Sequence, residues 1–340
     1  SALRNGVEAL SKISVDLEVS IPVGKDSLSM RTKWNEEKNE YEVTSPLSGI
    51  ISAMAPVEDI SHSVTPELNV DEDSVILVIK INQKNRLAGS IFSEVTESKY
   101  TETPDIDDVK LFKSLFNHIQ KLIKDSKILA MHDISDGGLV TALAEMCFTK
   151  KVGMSIQVDD IDSINKTLFS EEIGFVIQVK SDDLDIVKSS LDEINIYVKE
   201  VATIVEESFS ISSKEKEVFS ESITVLEKYW RETSHAIQSI RDNKKIADSE
   251  LNLLDNKNYH GLNSNVSFDE NQIKNLSIKG TKPKVAILRE QGVNGQNEMA
   301  AAFTIAGFEA FDVHMQDLLD GNIDLKQFQG MAVCGGFSYG

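Results

Sequence analysis

The sequence predicts an α+β protein of mixed strands, followed by a separate α/β domain. Three observations carry that expectation. Between residues 75 and 211, β-branched runs and amphipathic stretches alternate irregularly, as in a layered mixed sheet rather than a doubly wound one. From 241 to about 281, Asn, Asp, Lys and Ser replace apolar periodicity, which reads as a linker or an irregular strap. From 284 onward, strand, helix and strand patterns succeed one another in a βαβ rhythm.

Bulk properties narrow the function classes. At 340 residues with 41% hydrophobic content, the chain is long enough for two or three cores. A balance of 35 Lys+Arg against 55 Asp+Glu leaves a net charge of −20, which repels nucleic acid and anionic membranes. A small polyanion such as ATP can still bind through local amides and Mg²⁺. The 2 cysteines, Cys147 and Cys334, supply neither a disulfide framework nor a zinc cluster, so a reducing, cytoplasmic setting is expected. No apolar run reaches the roughly 18 residues of a membrane span, and Ser1-Ala2-Leu3-Arg4-Asn5 lacks a signal-peptide core. A start without Met and a stop just past a strand predict that the chain is cut from something longer.

Taken in order, Leu3, Val7 and Leu10 share a helical face in residues 1–12, and the run Val19 to Val23 follows. Gly24-Lys25-Asp26-Ser27 fails the P-loop pattern, which needs glycine at Val19 and a hydroxyl at Asp26; a polar turn is the plain reading. Ile50-Ile51-Ser52-Ala53-Met54 and Val75-Ile76-Leu77-Val78-Ile79 read as strands. Leu111, Leu115, Ile119 and Leu122 make 105–124 an amphipathic helix, with His118 beside the stripe as a structural histidine. Strands are expected at 154–158, 174–179, 201–205 and 209–211, and helices near 182–193 and 221–240. In the last domain, strands are expected at 284–288, 308–313 and 331–334 around a helix at 297–306. Its first turn, Gln291-Gly292-Val293-Asn294-Gly295, is no dinucleotide fingerprint, because the second glycine would have to occupy Asn294.

The chain turns on Met131-His132-Asp133-Ile134-Ser135-Asp136-Gly137-Gly138, between a strand-like run and a helix. Leu139, Leu143, Met146 and Cys147 recur at i, i+4, i+7 and i+8, so that helix opens at the glycines. First-turn amides with the positive end of the helix dipole suit a phosphate, and glycines allow close approach. Asp133 and Asp136 are candidate Mg²⁺ ligands, since Mg²⁺ takes a carboxylate or two plus phosphate oxygens and water. The alternative is structural: Ser135 or Asp136 caps the helix.

With Gly335-Gly336-Phe337-Ser338-Tyr339-Gly340 added, three separate stretches point one way. Ile21 to Met30, His132 to Gly138, and Leu288 to Gly295 with the closing Cys334-to-Gly340 run resemble the large, single-chain phosphoribosylformylglycinamidine synthases of purine biosynthesis. The resemblance implies aminoimidazole-ribonucleotide-synthetase-like mixed αβ domains followed by the start of an α/β class I glutamine amidotransferase domain. Its division would be 1–85 and 86–215 for two subdomains of the second synthase repeat, 216–281 for a helix and linker, and 282–340 for a truncated glutaminase. The reaction it implies is FGAR, glutamine, ATP and water giving FGAM, glutamate, ADP and phosphate, with ATP activating the substrate amide oxygen and ammonia displacing phosphate. Partners would be the first synthase repeat and the rest of the glutaminase in the same parent chain.

Carried over residue by residue, Gly24, Lys25, Asp26 and Ser27 resemble the loop that meets ATP and substrate. Shorter family members have Asn and Val at Lys25 and Asp26, so their Mg²⁺-ligand role does not transfer cleanly, and Asp26 or Lys25 would lie next to the phosphates. Asp133 matches a Mg²⁺ ligand, and Ser135 with Gly137 and Gly138 a nucleotide contact, in an auxiliary ATP/ADP site understood as structural. His132 as an orienter of Asp133, and Asp136 as a helix cap, are the alternatives. A class I amidotransferase needs a Cys nucleophile on an elbow with later His and Glu. None of those segments occurs here, so this stretch alone is expected to be inactive toward glutamine. Gly335 and Gly336 resemble an oxyanion loop, and Cys334 reads as an inert strand residue. Rival readings are an aminoimidazole ribonucleotide or selenophosphate synthetase, which lack an amidotransferase-like tail, and a nucleotide-stabilised structural half without chemistry.

Overall fold

The fold is that of a computed structural model. It describes residues 2–22, 31–36, 39–214, 216–256 and 280–336, together with 259, 261, 262, 264, 265, 267 and 268. The chain divides into two units, Ser1–Tyr259 and His260–Gly340.

The first unit opens with helix α1 (Ala2–Leu17) and a hairpin of β1 (Arg31–Glu36) and β2 (Asn39–Thr44), in which Trp34 stacks on Tyr41. The hairpin escaped the sequence reading because both strands are exposed along their whole length and show no apolar face. The strand expected at Ile50 to Met54 does not form: residues 45–57 have no regular structure, and Ile50 is 91% and Met54 100% exposed. β-branched content makes a strand only where a neighbour receives its backbone bonds.

One sheet organises residues 74–222. Its strands and covering helices are β3 (Ser74–Lys80), α2 (Ile91–Val95), α3 (Val109–Lys124), β4 (Ala130–Asp133), α4 (Gly138–Lys150), β5 (Gly153–Val158) and α5 (Ile164–Phe169). They continue with β6 (Gly174–Lys180), α6 (Leu184–Asp192), β7 (Tyr197–Val205), β8 (Ser208–Ser213) and β9 (Lys216–Ser222). Strand order is β4-β6-β3-β7-β5-β8-β9, antiparallel throughout except for parallel β5 and β8. The mixed α+β arrangement is as expected, but two expected domain edges cut it. β3 lies before residue 85 and β9 after residue 215, yet both hydrogen-bond into this sheet.

β3 shows why the sheet is two-sided. Ile76 and Val78 enter one core with Leu139, Leu143 and Met146 of α4, while Leu77 and Ile79 enter another with Leu115 and Ile119 of α3. A strand covered on both faces reads as a continuous apolar run, and Val75 to Ile79 does. Each fully buried Leu or Ile contributes about 1.5–3 kcal/mol.

Beyond the sheet, α7 (Ile223–Arg241) seats Ile223 in the first core. The stretch expected as linker from 241 begins instead with α8 (Lys244–Asn252), whose first amides at Lys245 and Ile246 bond the Asn243 side chain. That cap is local chemistry which periodicity alone does not reveal.

The second unit contains β10 (Lys284–Arg289), α9 (Gln296–Ile305), β11 (Glu309–His314), α10 (Met315–Leu319) and β12 (Gly330–Val333). β10 is central and parallel to both β11 and β12, around Ala286, Leu288 and Val313. Among the described residues, no helix is long and apolar enough to cross a membrane.

Candidate functional site

The β4–α4 junction places the central octapeptide at the end of an edge strand. Asp133 closes β4 opposite Phe175, and the next amide, Ile134, is held by the Gly174 carbonyl at 2.9 Å. Ile134 is buried, so the chain is pinned there while the Asp133 side chain stays 66% exposed. His132 packs against it: Nδ1 lies 2.7 Å from the Asp133 carbonyl and 3.5 Å from Oδ1, and Nε2 lies 3.0 Å from Oε2 of Glu145 on α4. Trp230 of α7 donates to the other Glu145 oxygen at 2.7 Å. A line of side chains thus runs from Asp133 through His132 and Glu145 to Trp230.

Helix α4 opens at the glycines, as expected, but neither Ser135 nor Asp136 caps it. Gly137 is the N-cap, left-handed at φ 82, with no side-chain bond, and both Ser135 and Asp136 are exposed. Ser135 contributes its carbonyl, which accepts from the Gly138 amide at 2.9 Å. The glycines have a packing reason. A Cβ on Gly138 would stand 2.7 Å from the Leu168 carbonyl oxygen, so the end of α5 needs that space.

Two acids that the sequence reading passed over complete the junction. Oε1 of Glu171 accepts from the amides of Gly137 and Ile91, both at 2.9 Å. A carboxylate therefore already takes the N-cap amide at the opening of the helix, where a phosphate would approach. Its neighbour Glu172 is fully buried and held by Arg86, which donates from Nε to Oε1 at 2.6 Å and from Nη2 to Oε2 at 2.7 Å. The Arg86 amide and the Asn82 side chain add bonds at 3.1 and 3.3 Å. Burial pushes the Glu172 carboxyl up, but these bonds outweigh it and hold it below the usual range. Arg86 also reaches Asp107 at 3.0 Å, fastening the loops after β3 and before α3 to the start of β6. The signal was a pair of acids inside the apolar run Leu168 to Val176.

The remaining candidates are scattered. Gly24, Lys25, Asp26 and Ser27 lie outside the described residues. Among the described residues, no three His, Cys, Asp or Glu side chains gather as a metal-binding group. Asp133 fits Mg²⁺ only as one hard-oxygen ligand to an ion that brings its phosphates and waters. His118 holds the Ser114 carbonyl at 2.8 Å, a structural contact. Cys147 is buried in the first core, and burial pushes its thiol up to about 12. In the second unit, Cys334 follows β12, the Gly335 carbonyl accepts from Asn294 at 2.9 Å, and Gly336 bridges to Val293. A Cβ on Gly336 would lie 2.2 Å from the Gly292 carbonyl oxygen, so these two loops fit only with glycine there.

Three domain families match the chain in succession. Residues 1–56 match an FGAR-AT PurM_N-like domain, 71–213 the AIR synthase related protein C-terminal domain, and 282–340 a CobB/CobQ-like glutamine amidotransferase domain. The chain thus carries an AIR-synthase-related domain match followed by an amidotransferase-type one. In this order the three fit a fragment of FGAM synthase, that is, phosphoribosylformylglycinamidine synthase. Similar solved structures include T. maritima PurL complexed with ATP, at 14% identity and TM-score 0.39, covering 49% of this chain and 27% of that one. T. maritima PurL complexed with FGAR is 13% identical, at TM-score 0.41, covering 49% and 30%. Thiamine-monophosphate kinase from Stenotrophomonas maltophilia K279a is 12% identical, at TM-score 0.31, covering 45% and 53%. The chain spans under a third of the PurL chains it matches.

Proposed function

We propose that this chain works as part of a cytoplasmic FGAM synthase, a ligase that converts FGAR, glutamine and ATP to FGAM, glutamate, ADP and phosphate. The observation that supports this reading most is the succession of the three domain matches in one chain. An amidotransferase-type domain at 282–340 also counts against an aminoimidazole ribonucleotide or selenophosphate synthetase. In this reading the first synthase subdomain ends before residue 71, and the second runs from 71 through β9 and α7.

Asp133 would hold Mg²⁺ on a bound ATP or ADP, with Ser135, Gly137 and Gly138 against the nucleotide. Mg²⁺ there would screen phosphate charge, while His132, backed by Glu145 and Trp230, orients the Asp133 carboxylate. Gly24, Lys25, Asp26 and Ser27 would meet ATP and substrate, and Gly335 with Gly336 would form the oxyanion loop. The first synthase repeat and the remaining glutaminase would complete both sites. The test supplies the first repeat to this chain and measures phosphate release from ATP with FGAR and ammonia. FGAR-dependent release that needs both pieces is expected; its absence with both folded would sink the reading.

A second reading has its own observation. Because Glu171 already occupies the Gly137 amide, the junction also serves as a structural joint. Asp133→Ala separates the two: loss of retained nucleotide favours the site, and unchanged retention favours the joint.

A further inference from the structure

Strand β3 ends on a charge where its pattern calls for an apolar residue. Alternation along the strand puts Lys80 on the same face as Ile76 and Val78, the face that packs into the α4 core. Lys80 is only 3% exposed. An ammonium carries three donors, and the one hydrogen bond found among the described residues is to Oδ1 of Asn85 at 3.2 Å. Glu172 lies close enough to support the charge, but both its oxygens serve Arg86 and Asn82. Burial outweighs that support and pushes the ammonium down to about 8. A buried cation without its own counter-ion is costly, and native chains keep one where something pairs with it.

The open side of Lys80 is a cavity of about 140 Å³ lined also by Gln83, Asn85, Thr167, Tyr197 and Lys199. One water needs roughly 10–15 Å³ of such space, so several heavy atoms fit. Pockets for drug-sized ligands begin near about 300 Å³, which puts a nucleotide out of reach. Two acids also line the space. Asp159 is neutralised by its ion pair with Lys199, and Asp160 accepts the Asp162 amide at 3.3 Å. Asp159 is exposed and Asp160 partly so, whereas Lys80 is buried, so the inner wall of the space is the positive one.

We propose that this cavity is a binding site for a small oxyanion, held by the Lys80 ammonium with Asn85 beside it. Phosphate and short carboxylates share the chemistry, so both are tested. Calorimetric titration of the 340-residue chain uses inorganic phosphate in one arm and succinate in the other, against chloride at equal ionic strength. Saturable binding of at least one ion is expected, and the arm that binds identifies the source. Lys80→Met should abolish binding. Asn85→Asp keeps the lysine but supplies an internal carboxylate in competition with the ligand, and should weaken binding about tenfold or more. Asn85 already has a positive φ of 50, which Asp tolerates, so this variant serves if Lys80→Met fails to fold. In the unaltered chain, the bound ion should slow acetylation of Lys80 but not of exposed Lys110. Saturation by neither ion, or equal binding by the unaltered chain and both variants, would overturn the proposal.

Discussion

Among the described residues, two helices open on a left-handed glycine a few residues after a strand, and the two openings are built differently. α4 starts after Gly137 at φ 82, and α9 after Gly295 at φ 85, neither with a side-chain cap. At α4 the turn is filled: the α5 backbone occupies the place of a Gly138 Cβ, and Glu171 takes the Gly137 amide. At α9 nothing stands within 4 Å of a Cβ on Gly295. The same sequence signal therefore reports backbone conformation in both places but close approach in only one. Glycine alone does not tell a ligand cradle from a packed joint.

The largest expected effect comes from the ion pair behind the filled turn. Replacing Arg86 by Leu leaves Glu172 buried and unpaired, and removing one partner of a buried pair costs about 3–5 kcal/mol. Its pH dependence carries a sign. In the unaltered chain the lowered Glu172 pKa contributes stability that is present above the unfolded value of 4.5 and lost as pH falls through the folded value. In Arg86→Leu, burial dominates and raises that pKa, so the deficit should shrink as pH falls. Urea denaturation between pH 4 and pH 7 reads both; a deficit that grows in acid would contradict the arrangement.

Next comes a paired substitution at the two turns. Gly138→Ala forces a Cβ against the Leu168 and Phe169 backbone at a φ of 74, combining overpacking of about 1–3 kcal/mol with left-handed strain of about 1–2 kcal/mol. Gly295→Ala faces open space and carries the strain alone. The first should lower the melting temperature by several degrees more than the second. Equal losses would show that the filled turn relaxes and that the contrast is only apparent.

That contrast also measures how much was legible in the sequence. Helical periodicity found α3 and α4, and β-branched content found β3, because each is specified by its own residues, with Leu139, Leu143, Met146 and Cys147 forming the buried face of α4 as spaced. Exposed Ile50 to Met54 misled because a strand is a property of two segments. Glu171, Glu172 and Lys80 were missed for the same reason. Arg86 and Glu172 are 86 positions apart, and two acids inside the apolar run Leu168 to Val176 mark a buried charge without saying which cation meets it. Local chemistry supplied Asp133, and resemblance supplied Ser135, Gly335 and Gly336, as candidates; the fold then gave each of these turns a structural duty as well.

The smallest expected effect on stability would sharpen the comparison most. Glu171→Gln keeps an acceptor oxygen for the Gly137 and Ile91 amides but removes the charge, so each charge-assisted bond becomes an ordinary one. The loss should be about 1 kcal/mol or less, since a neutral hydrogen bond still contributes about that much. Its effect on anions should be plainer. With the carboxylate present, a phosphate at the opening of α4 meets a like charge; with Gln it meets a neutral amide and the helix dipole unopposed. If the junction takes a nucleotide phosphate, ADP with Mg²⁺ should bind Glu171→Gln more tightly than the unaltered chain, and the added affinity should vanish in the double variant with Asp133→Ala. If the turn is a joint and nothing more, Glu171→Gln should change melting slightly and nucleotide affinity not at all. Calorimetry on the three proteins distinguishes these outcomes, because a ligand at this turn couples Glu171, which holds the Gly137 amide, to Asp133, which lies beside His132.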